Sequence, residues 1–303
     1  MISVLMLTYN REKLVSRAIE SVLNQTCRDF EFIIVDNGSS DKSGEIADRY
    51  AARDGRVRVI HRERGNIGAG RNTGLDAARG EYIAFLDDDD WVEPDFLEFL
   101  VELVRGSRAD VGICGTQDKP FDEKRIMTAQ EALIELLWRK KFNVGFPTKL
   151  IRRELFSKCR FSETSRFDDI YLMPGILGGA NRVAYHGLPK YHVVRHGGNN
   201  SAWTTDHALM TSEIVEEYLR VYRKRTSWLC GEFPEHSPTW RYFEWSFMIS
   251  MVEKITRLNC HECDGLKESM SKTLAENREA FYNSEHTAEF EKDWLDKYIM
   301  KEN

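Results

Sequence analysis

What this chain lacks narrows its class first. No uninterrupted apolar stretch comes near the ~20 residues that a bilayer-spanning helix needs. There is no long block of Lys or Arg, and the formal charge is −6, which argues against a nucleic-acid backbone as the main partner. No internal repeat or low-complexity linker interrupts the pattern. The first residues run straight into Ile2-Ser3-Val4-Leu5-Met6-Leu7 with no cationic leader or cleavage site. A cytoplasmic protein is therefore expected, with peripheral contact at a membrane left open. Cysteine is scattered, at 27, 114, 159, 230, 260 and 263, and reads as reduced thiol in that compartment. Cys260-His261-Glu262-Cys263 has the spacing of half a zinc site. The second half is missing and no strand leads into it, so an exposed turn between helices is expected.

What is present reads as a folded enzyme-sized chain. With 303 residues, 42% hydrophobic and 30% charged, it can bury one large core plus an appendage. Strand and helix alternate four times over the first hundred residues: apolar runs at 2–7, 32–35, 57–60 and 82–86, each followed by a helical pattern. The helices are expected at about 12–24, 43–51, beyond Gly70 with Leu75 and Ala78 inward, and from Pro94 to about Val104. That alternation predicts an open, mostly parallel α/β sheet with helices on both faces. Farther on, strands are expected at 109–115, at 146–151 (an edge or irregular strand, because of Pro147), at 182–185 and at 191–195. A helix is expected over Thr128–Trp138, capped by Thr128.

The chemistry gathers where strands stop. The run Tyr82-Ile83-Ala84-Phe85-Leu86-Asp87-Asp88-Asp89-Asp90-Trp91 passes from a buried strand into four consecutive carboxylates. Four bare charges cannot be buried, since desolvating one alone costs several kcal/mol. Either the run is a solvated acidic turn ahead of the helix at Pro94, or it ends a strand at a ligand-binding sheet edge and shares a hard divalent cation. Thr8-Tyr9-Asn10-Arg11 and Asp36 follow two other strands and should fall on the same edge. Asp36 suits a base N–H or ribose hydroxyls, and the backbone of Thr8-Tyr9 could run alongside the nucleoside. Gly65 to Gly70 allows close main-chain approach, and Arg71 offers a cation to a diphosphate. The spacing there is not a dinucleotide fingerprint.

Together, Thr8-Tyr9-Asn10-Arg11, Ile34-Val35-Asp36-Asn37-Gly38-Ser39-Ser40-Asp41, Gly65-Asn66-Ile67-Gly68 with Arg71-Asn72, and the acidic strand closely resemble the family 2 nucleotide-sugar glycosyltransferases of the GT-A fold. The resemblance is firm over about a hundred residues and thinner to about 202. It implies a Rossmann-like α/β domain over 1–204, with a nucleotide-binding half over 1–115 and an acceptor half over 116–204. It implies an inverting transferase that uses a nucleotide-diphosphate sugar, most often a UDP-sugar, with Mn²⁺ or Mg²⁺. Thr8, Tyr9, Asn10, Arg11, Asp36, Asn66, Gly68, Arg71, Asp87 and Asp88 then fall on the donor side. Asp89 is matched as the more direct metal ligand, with Asp87, and with His196 as a further candidate. Asp90, Trp91 and Asp168 face the acceptor side. The family's acidic pair is Asp168-Asp169 here, and Asp169 matches the catalytic base. Glu163 is the competing base, and the ordinary alternative for the pair is helix N-terminal acid favoured by the dipole.

From about 205 to 303 the pattern is all helical. Stripes run through Ile214, Tyr218, Val221 and Tyr222, and through Trp240, Phe243, Phe247 and Met251. Trp245, Met248, Val252 and Ile255 make a second face, and Phe290, Trp294 and Tyr298 mark a last helix. A cap on the core is the expected role; a homo-oligomer contact or a grip on the acceptor are sharper alternatives. The expected acceptor is a hydroxyl of a glycan, glycolipid or glycoprotein. Two other functions fit part of the pattern: a nucleotidyltransferase on a related sheet, which would not use the pair at 168–169 as a far-side base, and a catalytically silent sugar-nucleotide binding module.

Overall fold

The computed structural model describes residues 1–118, 120–196 and 209–299. The chain divides between Arg195 and His196 into two compact units. In the first, strands β1 (Ile2–Thr8), β2 (Phe30–Asp36), β3 (Val57–His61) and β4 (Tyr82–Asp87) alternate with helices α1 (Val15–Leu23), α2 (Ser43–Ala51) and α3 (Ile67–Ala77). They pair in parallel in the order β3-β2-β1-β4. Both faces of β1, β2 and β4 are covered, which is why they read as nearly continuous apolar runs. Ile2, Val4 and Met6 pack with Val15, Ala18 and Ile19 of α1 on one face. Leu5 and Leu7 face α3 on the other, where Gly70 and Gly74 let the helix sit close.

After β4 come the two-residue β5 (Trp91–Val92), α4 (Phe96–Ser107), β6 (Val111–Thr116), β7 (Lys124–Met127), α5 (Ala129–Trp138), β8 (Lys149–Arg152), α6 (Asp168–Gly178) and β9 (Val183–His192). The sheet continues β4-β8-β6-β9-β5, with β7 also on β9. The expected parallel sheet is therefore parallel in its first half and mixed in its second. α5 begins as expected, with the Thr128 hydroxyl accepting from Glu131 N and the Glu131 carboxylate accepting from Thr128 N. α4 begins two residues after Pro94, and a remote group caps it: buried Gln25 accepts from Leu97 N at 2.8 Å and donates to Glu93 O at 2.7 Å.

Two expectations about strands fail for traceable reasons. The segment with Pro147 is no edge strand. Pro147 precedes β8, which lies antiparallel between β4 and β6. The two strands expected at 182–185 and 191–195 are one, β9, which runs through Gly187 and Pro189. It absorbs them by slipping register against β6 at Gly115. β7 and β5 were too short to show a period.

The second unit holds α7 (Ser212–Glu232), α8 (Ser237–Arg257), α9 (Asp264–Glu276), α10 (Arg278–Tyr282) and α11 (Glu289–Tyr298). α8 is buried on two sides, with Trp240, Met248, Ile249 and Val252 inside. The inward face of α11 is Glu291 and Leu295, whereas Phe290 stays 54% exposed. Of the aromatic stripe expected there, Trp294 and Tyr298 are half-buried, and the buried Glu291 is held by Tyr242, whose hydroxyl donates to it at 3.1 Å. Cys260 to Cys263 form a short 3-10 turn in which His261 is exposed but Cys263 is buried. No helix among the described residues is long and apolar enough to cross a membrane.

The β6–β9 slip predicts a sensitive site. A Cβ on Gly115 would lie 2.2 Å from the Gly187 carbonyl oxygen. Gly115→Ala should cost ~1–3 kcal/mol of stability, read as a lower urea midpoint. An unchanged midpoint would show the two strands free to separate there.

Candidate active site

Register brings the strand ends together. Thr8 lies opposite Asp36, Leu7 opposite Asp87, and Asp36 opposite His61. Asp36 and Asp87 thus stand at neighbouring rungs on either side of β1, two strand spacings or about 10 Å apart. Both end at the carboxyl edge, as the sequence predicts.

The first and second loops interlock. Asn10, with φ +52°, accepts from Ser40 N at 2.8 Å, while its own N–H donates to Ser39 Oγ at 3.1 Å. Arg11 N donates to Ser43 Oγ at 2.7 Å. Asn10 therefore organises the loop through its side chain. The Tyr9 ring carries the Arg64 guanidinium 4.6 Å from its centroid. Asn37 ties the second loop to the glycine-rich one, donating to Gly65 O at 2.7 Å and accepting from Arg62 Nη1 and Gly65 N.

Asp36 is buried and already engaged. Its Oδ1 accepts from Ser39 N, and its Oδ2 faces His61 Nδ1, both at 3.0 Å. His61 Nε2 faces Asp48 Oδ1, also at 3.0 Å. Hydrogen bonding to Asp36 first, and to Asp48 next, raises the imidazole pKa. Sequence reasoning passed over His61, although its place at a strand end beside Asp36 was the signal.

The acidic run closes into a turn, with Asp90 N donating to Asp87 O at 3.2 Å. Each acid then has a different environment. Asp88 accepts from Tyr9 N at 3.1 Å and lies 3.7 Å from Arg11 Nε. Burial pushes its pKa up to about 7. Asp90, expected on the acceptor side, has both oxygens occupied within the fold. It accepts from Tyr191 Oη and from Val194 N, each at 2.7 Å. Burial, then the Asp87 charge, lifts it to about 7. Trp91 stacks on His192, with centroids 3.7 Å apart.

Asp87 and Asp89 complete the acidic run. Asp89 is buried, with an oxygen 4.0 Å from Arg11 Nε, and its main-chain carbonyl accepts from Arg17 Nη2 at 2.5 Å. The Asp87 side chain keeps 44% of its surface open and meets Arg71 Nη2 at 3.3 Å. Desolvation raises its pKa, with Arg71 opposing and Asp89 adding to the rise. Water at the open surface moderates that shift.

Arg71 is the hub. Its guanidinium lies within 5.4–6.0 Å of the ring centroids of Phe85, Phe146 and Phe161. It also supplies the main positive charge felt by Asp169. The same helix α3 is tied to the segment before α6. Asn66 caps α3 by accepting from Ala69 N and donates to Ser162 O. Asn72 donates to Phe161 O and accepts from Phe161 N. The Asn72 amide also donates to Glu163 Oε1 at 3.1 Å, so the competing base is engaged with α3. Gly68 is buried in the first turn of α3. Asp169 sits in the first turn of α6 and accepts from Ile170 N. Burial raises its pKa, with Arg71 opposing. Asp168 opens the same helix, its side chain lying outside the described set, and His196 opens the second unit.

The His61 pair gives a pH prediction with a definite sign. A histidine whose pKa is raised on folding adds stability in full below its unfolded value of about 6.5, and loses it as pH rises through the folded value. The urea midpoint of His61→Gln should trail the wild type at about pH 5.5 and approach it by about pH 8.5. A gap independent of pH would remove the charged pair from the account.

Comparison with known proteins follows this geometry. The family model described as Glycosyl transferase family 2 matches residues 3–164. The glycosyltransferase GlyG of Streptococcus pneumoniae is 38% identical over 243 residues, covering 72% of this chain and 80% of GlyG. Two Bacillus subtilis proteins with glycosyltransferase names, EpsH and EpsJ, are 35% and 36% identical over 64% and 55% of this chain. Those stretches make up 61% and 53% of their own lengths. Among solved structures, S. aureus TarS 1–349 in complex with UDP-GlcNAc superposes with a TM-score of 0.67 at 19% identity, over 98% of this chain and 81% of that one. A mannosyltransferase from Pyrobaculum calidifontis, in complex with GDP-Man and Mn²⁺, gives 0.56 at 15% identity over 99% and 84%. These likenesses are to the GT-A architecture, and with the family match covering more than half its length the chain belongs to glycosyltransferase family 2.

Proposed function

We propose that this protein is an inverting glycosyltransferase that takes a sugar from a nucleotide-diphosphate donor, a UDP-sugar, and passes it to a hydroxyl of a glycan, glycolipid or glycoprotein. One observation carries the reading: Asp36 and Asp87 end the strands on either side of β1 at one sheet edge, where Arg71 meets Asp87, and the charge of the same arginine reaches Asp169. The UDP and UDP-GlcNAc complexes of the TarS neighbours support uridine as the nucleoside.

The residues fit a divalent ion, Mn²⁺ or Mg²⁺. Asp87 and Asp89 offer hard oxygen donors at one turn, and each feels the other's charge. Among the described residues no three His, Cys, Asp or Glu groups form a metal cage. Two carboxylates at a phosphate site suit an ion that completes its shell with diphosphate oxygens and water. When bound, such an ion offsets the charge growing on the leaving diphosphate. The chain's own groups do the rest. Asp36 receives the base N–H, Arg71 receives diphosphate oxygens, and Asp169 accepts the proton of the acceptor hydroxyl as it attacks the anomeric carbon from the opposite face. A carboxyl lifted by burial is a stronger base than a solvated one. Asp90 and Tyr191 hold the acidic turn in place for this.

Asp169→Asn should keep donor affinity within about twofold while slowing transfer, or donor hydrolysis, by roughly 10²–10⁴-fold. Undiminished turnover would remove Asp169 from the mechanism. Asp89→Ala should abolish the Mn²⁺-dependent heat of UDP binding in calorimetry, and an unchanged titration would refute the ligand assignment. A panel of UDP-sugars, scored for metal-dependent thermal stabilisation, identifies the sugar.

A further inference from the structure

The chain that leaves β3 braces the end of β2 from outside. Asp36 and His61 are paired across the two strands, and their side chains meet, with His61 Nδ1 3.0 Å from Asp36 Oδ2. The other ring nitrogen, Nε2, lies 3.0 Å from Asp48 Oδ1 on α2. Two carboxylates facing two ring nitrogens are both satisfied only by an imidazolium, which donates from each. The raised imidazole pKa agrees, with Asp36 and then Asp48 favouring the charged form. The next residues make similar attachments. Arg62 Nη1 donates to Asn37 Oδ1 at 3.0 Å, and the Arg64 guanidinium lies 4.6 Å from the Tyr9 ring centroid. Segment 61–64 thus holds one side chain after another at the ends of β1 and β2.

The two oxygens of Asp36 are not equivalent. Oδ1 accepts from Ser39 N at 3.0 Å, and an ionised carboxylate oxygen has a second lone pair to offer. Oδ2 faces the imidazole on one side and the start of α2 on the other. A Cβ on Gly44 would lie 2.6 Å from that oxygen and 3.2 Å from His61 Cε1. The Asp36 side chain keeps only 9% of its surface, whereas His61 is half-exposed. The ring therefore fills no core, and its replacement opens no internal cavity. Its contribution is to hold one oxygen of a nearly buried carboxylate. Nucleobases differ in what they ask of such a group. A uracil presents a single N–H between two carbonyls, while a guanine presents two adjacent N–H donors that suit both oxygens of one carboxylate.

We propose that His61 is a positioning residue that sets nucleobase choice: by holding Asp36 Oδ2 against α2, it leaves Oδ1 as the acceptor for the single N–H of a uracil and denies a guanine its paired contact. This rests on Asp36 receiving the base, so the test includes that variant. UDP and GDP, each with Mn²⁺, are titrated by calorimetry into wild type, His61→Leu, His61→Gln and Asp36→Ala. Wild type should bind UDP more tightly than GDP. His61→Leu should weaken UDP roughly tenfold while GDP changes less than about twofold, so the preference falls. His61→Gln, whose amide can donate to Oδ2 from the same strand position, should keep UDP within about threefold of wild type. Equal losses of UDP and GDP in His61→Leu, or equal losses in the Leu and Gln variants, assign the histidine to folding and overturn the proposal. So does unchanged UDP binding in His61→Leu, or a wild type that takes GDP as readily as UDP. Should Asp36→Ala leave UDP affinity intact, the base contact fails and takes this inference with it; a normal Asp36→Ala loss with an unchanged preference in His61→Leu removes only the histidine.

Discussion

Four carboxylates in a row at the end of a buried strand set the central constraint, because the fold must compensate charge that it cannot hide. It does so unequally. Asp88 is held by a main-chain N–H and Arg11, and Asp90 by Tyr191 and Val194 N. Both are raised to about 7, the mark of acids whose ionised form is poorly solvated. These two fix the turn. Asp87 meets Arg71, and Asp89 lies 4.0 Å from Arg11. The same arrangement that stabilises the turn concentrates negative charge where a cation and a diphosphate would enter.

Arg71 links this turn to the rest of the site. It lies in an aromatic surround of Phe85, Phe146 and Phe161, each supplied by a different segment. Aromatic faces favour a guanidinium and restrict its reach, and from this surround it meets Asp87 at 3.3 Å. Asn66 and Asn72 on the same helix bind the 161–163 segment, which sets the approach to α6. The segment before α6 is thus tied to the strand ends through one helix, α3.

Much of this was legible in the sequence. Short apolar runs ending in Thr8, Asp36 and Asp87 were enough to place three strand ends on one edge, because a parallel sheet leaves no other choice. Thr128 and Glu131 announced their helix for the same local reason. What escaped has longer-range causes. β9 reads as two strands since Gly187 and Pro189 break its period, yet pairing with β6 and β7 carries it through. β8 reads as an edge strand because Pro147 is near, although the ladder starts just beyond it. Asp90 is expected on the acceptor side, and nothing nearby in the sequence announces its bond to Tyr191, a hundred residues away. His61 carries no motif beyond its place at the end of β3; its pairing with Asp36 is set by register, which periodicity does not encode.

The most direct measurement is a crystal structure of the protein soaked with UDP and Mn²⁺. The account predicts the diphosphate beside Arg71, the ion shared between its oxygens and the Asp87–Asp89 turn, and the pyrimidine beside Asp36. A nucleotide seated away from these strand ends, or lying with its base at Asp87 and its phosphates at Asp36, would contradict it.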